Sequence, residues 1–195
     1  MKKKRIIIGI TGASGLIYGV RLLELLRYTD YETHLIVSKA AQQTRAYEST
    51  LTAADLYNLA DRYYSISDIA ACISSGSYLT GGMIIAPCSM RTLADIAYST
   101  TSNLLTRAAD VILKERRRLV LMVRETPLHL GHIENMKRVT EIGATIAPPI
   151  PAFYNNPKTI DDLVNHSVGR VLDLFDIDIN IVQRWESRNI SVNLI

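Results

Sequence analysis

Residues able to bind an anion or move a proton gather in four short polar clusters: Thr11 to Gly15 (T-G-A-S-G), Ser38-Lys39, Cys88 to Thr92 (C-S-M-R-T) and Arg124-Glu125. The first closes the stretch Gly9 to Gly15, whose glycines permit positive φ and close backbone approach. If a helix starts there, its first free N–H groups, with the hydroxyls of Thr11 and Ser14, would face an anionic guest. Ser89, Arg91 and Thr92 combine two hydroxyls and a guanidinium with a second helix start, which suits one phosphate or the edge of a flavin; the plainer reading is a capped helix. Glu125 can act as an acid or base if its surroundings tune it, or serve only as a first-turn acid near a helix dipole. Cys88 could be a thiol activated by a helix start, although a small buried cysteine is the simpler expectation.

Spacing narrows the guest. Gly9, Gly12 and Gly15 form G-x-x-G-x-x-G with no following lysine, which is neither the dinucleotide fingerprint nor a P-loop. An NAD site wants an acid at the end of the second strand, where this chain has Ser38-Lys39. NAD is therefore disfavoured; Lys39 leaves a 2′-phosphorylated dinucleotide open, and a mononucleotide such as FMN needs neither acid nor base there. Arg107, Asp110 and Lys114 share a helix face, with Asp110 and Lys114 as an i,i+4 pair, and Arg116 to Arg118 suit a helix C-terminus. His129 and His132 have no third ligand at a metal-binding spacing, so no metal site is expected, and His34 and His166 fit no pattern.

The elements between the clusters follow from periodicity. Arg5 to Ile10 reads as a strand, Leu16 to Tyr28 as a helix with Leu16, Val20, Leu23 and Leu26 on one face, and Thr33 to Val37 as a second strand, which together make a βαβ unit. Ser38 caps a helix through about Tyr47, with Glu48 near its end. Leu51 to Tyr64 holds a short helix opened by Thr52 or Asp55, and residues 65 to 81 are a Ser- and Gly-rich loop. Met83 to Ala86 is a short apolar run suited to a strand buried on both faces, followed by helices over Leu93 to Ser99 and Asn103 to Arg117 and a strand over Leu119 to Val123. Thr126 and Pro127 predict the cap and first position of a helix from Leu128 to Ile142, stopped by Gly143. Thr145 to Ala147 is the expected last strand, and Thr159 opens a final helix to about Phe175. Such alternation predicts a doubly wound α/β parallel sheet with ligands beyond the carboxyl ends of the strands, where all four polar clusters fall.

With 195 residues, 48% of them apolar, one domain over residues 1–195 is expected, with a tail from about Asp176. The net charge of +3 is dispersed and gives no nucleic-acid signal. After M-K-K-K-R only Ile6 to Ile8 precede the glycine turn, too short for the apolar segment of a signal peptide, and no run reaches membrane-span length. Two cysteines, Cys72 and Cys88, make no disulfide framework and fit a reduced compartment, so a cytoplasmic protein is expected.

Taken together, Thr11-Gly-Ala-Ser-Gly15, Ser38-Lys-Ala-Ala41, Ala86-Pro-Cys-Ser-Met-Arg-Thr-Leu93, Asn103-Leu-Leu-Thr-Arg-Ala-Ala-Asp110, Leu113-Lys-Glu-Arg-Arg117, Arg124-Glu-Thr-Pro-Leu128, Glu134-Asn-Met136 and Phe153-Tyr154 closely resemble the UbiX-like flavin prenyltransferases, including their Pad-type members. The resemblance runs over essentially the whole chain in order. It implies a three-layer, Rossmann-like (flavodoxin-like) flavoprotein that assembles as a homo-oligomer, typically a dodecamer with sites between subunits. It implies metal-independent transfer of a dimethylallyl group from dimethylallyl phosphate to N5 and C6 of reduced FMN, the prenylated FMN then serving a UbiD-like decarboxylase. By matching positions, Gly12, Ala13, Ser14, Ser38, Ser89, Met90, Arg91, Thr92 and Arg124 would hold FMN. Tyr154 and Arg170 would bind the prenyl phosphate, with Lys114, Arg107 and Glu125 around it from the same or a neighbouring subunit. Ser14, Glu48 and Glu125 would be the catalytic groups, Glu125 passing a proton to phosphate and Ser14 with Glu48 assisting proton movement at the flavin. The loop Ser74 to Tyr78 lacks a tryptophan found in some relatives, which leaves Tyr78 and Trp185 as candidate aromatic faces for an allylic cation. Two alternatives stay open: an FMN-dependent decarboxylase acting directly on an aromatic acid, and a non-catalytic FMN carrier.

Overall fold

Isoleucine runs that are buried at every consecutive position set the architecture. Successive side chains of a strand point to opposite faces, so Ile6, Ile7 and Ile8, and Met83, Ile84 and Ile85, all at most 1% exposed, require cover on both sides of a sheet. The computed structural model describes residues 4–182. In it β1 (Lys4–Ile10), β2 (Tyr31–Val37), β3 (Arg62–Tyr64), β4 (Gly82–Cys88), β5 (Arg118–Val123) and β6 (Ala144–Ile146) form one six-stranded sheet in the order β3-β2-β1-β4-β5-β6, every pair parallel.

The helices are α1 (Leu16–Leu26), α2 (Lys39–Glu48), α3 (Ala53–Tyr57), α4 (Met90–Ala97), α5 (Leu104–Lys114), α6 (Leu130–Glu141) and α7 (Ile160–Asp173). One face of the sheet packs Ile6, Ile8 and Ile10 against Leu22, Leu23 and Leu26 of α1 and Val168 and Leu172 of α7. The other packs Ile7 and Ile85 against Leu93 of α4, Leu105 and Ile112 of α5 and Val139 of α6. This is the doubly wound parallel α/β sheet that the alternation predicts, in the three-layer, flavodoxin-like form that the family resemblance implies. The chain runs from β1 outward to β2 and β3, then returns to the other side of β1 as β4, which puts the switch point at the carboxyl ends of β1 and β4.

Several local expectations change. A three-residue edge strand, β3, follows α3, and a 3-10 turn covers Cys72–Ser74. Helix α4 begins at Met90 rather than Leu93, so Arg91 and Thr92 lie in its first turn. Helix α6 begins at Leu130 with His129 as its cap, the imidazole Nδ1 accepting the Gly131 N–H at 3.1 Å. Thr126 is not the cap; its N–H donates to its neighbour Glu125 at 2.9 Å, within a turn that precedes the helix. Asp110 accepts from Arg107 at 2.7 Å, while Lys114 pairs with Glu115, so the expected Asp110 to Lys114 pair gives way to nearer partners. The cationic run does not cap α5 either. Arg117 donates to the carbonyls of Gly76 (2.6 Å) and Tyr78 (2.9 Å), fastening the Ser/Gly loop, and Arg118 bonds the Leu174 carbonyl and Asp176, both at 2.6 Å.

His34 is fully buried in β2, with Nδ1 2.9 Å from the Tyr64 hydroxyl and the two rings stacked at 5.7 Å. Burial pulls its pKa from 6.5 to about 4, against the opposing charge of Glu32. An unfolded chain therefore takes up this proton at a pH where the folded one does not, and stability falls as pH drops from about 6.5 to about 4. Urea unfolding at pH 7 and pH 4.5 should show wild type losing about 2 kcal/mol more than a His34→Leu variant. Equal losses would show that His34 is not held neutral.

Candidate functional site

Where the β1–β4 ladder ends, Thr11 takes over its hydrogen bonding. Its N–H and hydroxyl both donate to the Pro87 carbonyl, at 3.3 and 2.7 Å, and its Oγ1 accepts the Ser89 N–H at 2.8 Å. Thr11 is 2% exposed, so the expectation that its hydroxyl faces a ligand is corrected: it is a strut across the switch point, satisfying backbone groups that the ladder leaves behind. The strut brings the turns after β1 and β4 side by side.

Two helix starts converge there. Ser38 caps α2 by accepting the Ala41 N–H at 3.1 Å, and Ser89 caps α4, its Oγ 3.4 Å from the Thr92 N and 3.1 Å from the Thr92 hydroxyl. Between them lies a cavity of about 410 Å³ whose lining includes Gly12, Ser38, Lys39, Ser89, Arg91 and Thr92. Gly12 is glycine for a steric reason, because a Cβ there would stand 2.4 Å from the Ala40 Cβ and push α2 away. Two N-terminal dipoles, two cations and several hydroxyls line one cavity, an arrangement whose chemistry suits an anion such as phosphate.

The start of α1 is different. Gly15, at φ 107°, and Leu16 donate their N–H groups to the carboxylate of Glu48, both at 2.9 Å to Oε2, and the Ser14 hydroxyl donates to the same group. Partial burial raises the Glu48 pKa, but the Ser14 hydroxyl, the two amides and the Arg124 charge outweigh it and hold the carboxyl below its ordinary range. The glycine turn thus carries its own anion, and the reading of its helix start as the place for an external one is corrected. The open positions belong to α2 and α4.

At one carboxyl edge the chain therefore brings together Gly12, Ala13, Ser14, Ser38, Glu48, Ser89, Met90, Arg91, Thr92 and Arg124, whose N–H donates to the Cys88 carbonyl at 3.1 Å. Glu125 follows at the same edge, exposed. Cys88 is fully buried, and burial alone pushes its thiol far up, so it is a core side chain. Arg107 lies in the first turn of α5 with Asp110. Lys114 is at the other end of that helix, seven residues or about 10 Å further along its axis, beside the amino end of β5. Arg170 stands near the end of α7, paired with Asp173 at 2.6 Å, and that end is tied through Leu174 to Arg118 at the start of β5. Tyr154 sits on the 3-10 turn Phe153–Asn155, half exposed, against His166. Lys114 and Arg170 are thus on the opposite edge from their own chain's cavity. Trp185 lies outside the described residues.

Asp95 and Asn103 also line the cavity and were not singled out by sequence. Asn103 was legible as a cap, accepting the Thr106 N–H at 3.1 Å, and Asp95 as the residue one turn beyond Arg91 on α4. Among the described residues, no three His, Cys, Asp or Glu side chains gather as metal ligands, and no helix is long and apolar enough to cross a membrane.

Comparison with known proteins bears on the family and the fold. The sequence pattern of the flavoprotein family matches residues 1–172. A curated relative, flavin prenyltransferase UbiX of Neisseria meningitidis serogroup B, is 58% identical over 183 residues, spanning 94% of this chain and 97% of its own. The solved structure of AnUbiX in complex with FMN and dimethylallyl pyrophosphate superposes with a TM-score of 0.94 at 48% identity, covering 95% of this chain and 99% of that one. A dodecameric FMN-dependent UbiX-like decarboxylase from Escherichia coli O157:H7 superposes with a TM-score of 0.92 at 48% identity, covering 94% and 100%.

Replacing Glu48 with Gln removes the charge from the α1 start and one of its acceptor oxygens. The variant should be destabilised by about 1 kcal/mol, read as a lower unfolding midpoint. An unchanged midpoint would remove Glu48 from its place in the glycine turn.

Proposed function

The chain belongs to the UbiX-like flavin prenyltransferases within the flavoprotein family, and from that membership we propose that it transfers a dimethylallyl group from dimethylallyl phosphate to N5 and C6 of reduced FMN. The observation that carries the reading is the arrangement of helix starts: α1 is filled by Glu48, and α2 and α4 open on one cavity with Lys39 and Arg91. That cavity fits the phosphate of a mononucleotide, and the absence of an acid at Ser38-Lys39 fits a ligand without an adenosine ribose. Gly12, Ala13, Ser14, Ser38, Ser89, Met90, Arg91, Thr92 and Arg124 hold FMN on this reading. When bound and reduced, the flavin supplies the nucleophilic N5 and C6 positions.

The remaining chemistry falls to side chains. An allylic phosphate leaves readily when fixed cations and donors meet its growing charge, which Arg107, Lys114, Tyr154 and Arg170 provide without a metal. Glu125 delivers a proton to the departing phosphate. Ser14, oriented by Glu48, passes a proton at the flavin edge. Because Lys114 and Arg170 stand at the opposite sheet edge, they serve the site of a neighbouring copy. The exposed apolar side chains Leu128, Leu130, Ile133 and Phe153, which follow the carboxyl ends of β5 and β6, suit burial between subunits in a dodecamer of the kind described for the E. coli O157:H7 structure. The product serves a UbiD-like aromatic acid decarboxylase, and the protein works in the cytoplasm, in keeping with its two unpaired cysteines.

Incubation of the protein with anaerobically reduced FMN and dimethylallyl phosphate should yield a flavin heavier by one prenyl unit. Release of CO₂ from an aromatic acid by the protein and FMN alone, with no flavin mass change, would favour direct decarboxylation; neither product, with FMN bound, would leave a carrier. In the same preparation Arg91→Ala should weaken FMN binding by about 10- to 100-fold, the loss of a charge-assisted phosphate contact. Unaltered affinity would move the phosphate elsewhere.

A further inference from the structure

The turn Phe153–Asn155 has almost no hydrophobic hold on the rest of the fold. None of its residues is buried, Phe153 is 74% exposed, and the following Asn156 sits in the left-handed region at φ 52°. Its position therefore depends on a few specific contacts, and His166 of α7 makes two of them. The imidazole meets the Tyr154 ring edge-on, centroids 5.7 Å apart at 86°, and its Nδ1 lies 2.7 Å from the Asn155 amide nitrogen. An amide NH₂ donates, so Nδ1 accepts and the ring is the neutral Nε2–H tautomer. Partial burial and the charge of Arg170 hold the imidazole below its ordinary pKa, with Asp173 opposing.

His166 stands on a helix that is itself fixed. Thr159 and Asp162 form a capping box at the start of α7, and Arg21 of α1 donates to Asn165 at 2.7 Å and to Asp161 at 3.1 Å. Arg170 lies four residues after His166, on the same helix face. One side chain thus links the exposed turn that bears Tyr154 to the helix that bears Arg170.

We propose that His166 is a positioning residue, which locks Tyr154 in register with Arg170 so that both address one prenyl phosphate. The proposal rests on the reading above that Tyr154 and Arg170 bind that group. On this reading His166 acts through Tyr154 and Asn155 alone, so its effect falls on substrate affinity and not on the chemical step. Glutamine, whose amide oxygen can accept from Asn155, should replace it; alanine should not.

The test is steady-state prenylation by the full-length protein under saturating reduced FMN, with dimethylallyl phosphate varied and assembly checked by size. His166→Ala should raise KM for dimethylallyl phosphate about tenfold, the effect of one lost neutral hydrogen bond, with kcat and FMN affinity near wild type. His166→Gln should recover most of that loss, and Asn155→Ala should reproduce it from the other side, which also serves if His166→Ala fails to fold. A wild-type KM in His166→Ala or in Asn155→Ala, or a fall confined to kcat, overturns the proposal. Tyr154→Phe, measured alongside, separates the two readings. If it raises KM while His166→Ala does not, the positioning role alone is wrong; if it too leaves KM unchanged, Tyr154 is not a phosphate ligand.

Discussion

The carboxylate of Glu48, set on the start of α1, is the contact around which the carboxyl edge is arranged. It comes from the last residue of α2, 33 positions from Gly15, and it accepts two backbone amides and the Ser14 hydroxyl. A helix start left empty would bind any available anion, and a phosphate there would compete with the cavity between α2 and α4. With that start filled internally, the cavity between α2 and α4 is the place proposed for an external phosphate. The same contact pins the C-terminal end of α2 to the glycine turn while the Ser38 end faces the cavity, so α2 is held at both ends by the groups that define the site.

Parallel pairing imposes the second constraint. Every strand delivers its carboxyl end to one edge, and each returning helix carries its own C-terminus to the other. Lys114 and Arg170, late in α5 and α7, are consequently remote from the cavity of their own chain. Thr106 lines the cavity and Lys114 lies about 12 Å further along α5, beyond the screening length of roughly 8 to 10 Å at ordinary salt, so the lysine contributes little to a phosphate there. If these cations act on the substrate, assembly is part of the active site and not an addition to it.

What the sequence made legible was whatever depends on local periodicity. The strands at Ile6 to Ile8 and Met83 to Ala86, the caps at Ser38 and Thr159, and the placement of the polar clusters beyond strand ends all follow from runs and spacings along the chain. The misread features depend on tertiary partners. Arg62 to Tyr64 becomes a strand because β2 offers an edge, although its own residues are polar or aromatic with no alternation. Thr126-Pro127 has the chemistry of a helix start, yet the chain turns first and His129 provides the cap. Thr11 was read outward because nothing local reveals that Pro87, 76 residues on, takes its hydroxyl. Glu48 was reached through family resemblance, and only the fold shows which donors it serves.

The environments of the two carboxylates at this edge also divide their proposed work. Glu48 is surrounded by donors that favour its ionised form and hold its carboxyl below the ordinary range. A carboxylate so held is a good fixed acceptor for the Ser14 hydroxyl, in keeping with the proposal that the hydroxyl and not the carboxylate passes the proton. Glu125 is likewise exposed but sits on a turn and accepts only the adjacent Thr126 N–H among the contacts described. It can change partners as a substrate phosphate and a neighbouring subunit arrive, which is what delivery of a proton to a departing group requires. The two carboxylates therefore differ in how many donors hold them, three groups at Glu48 against one neighbouring amide at Glu125.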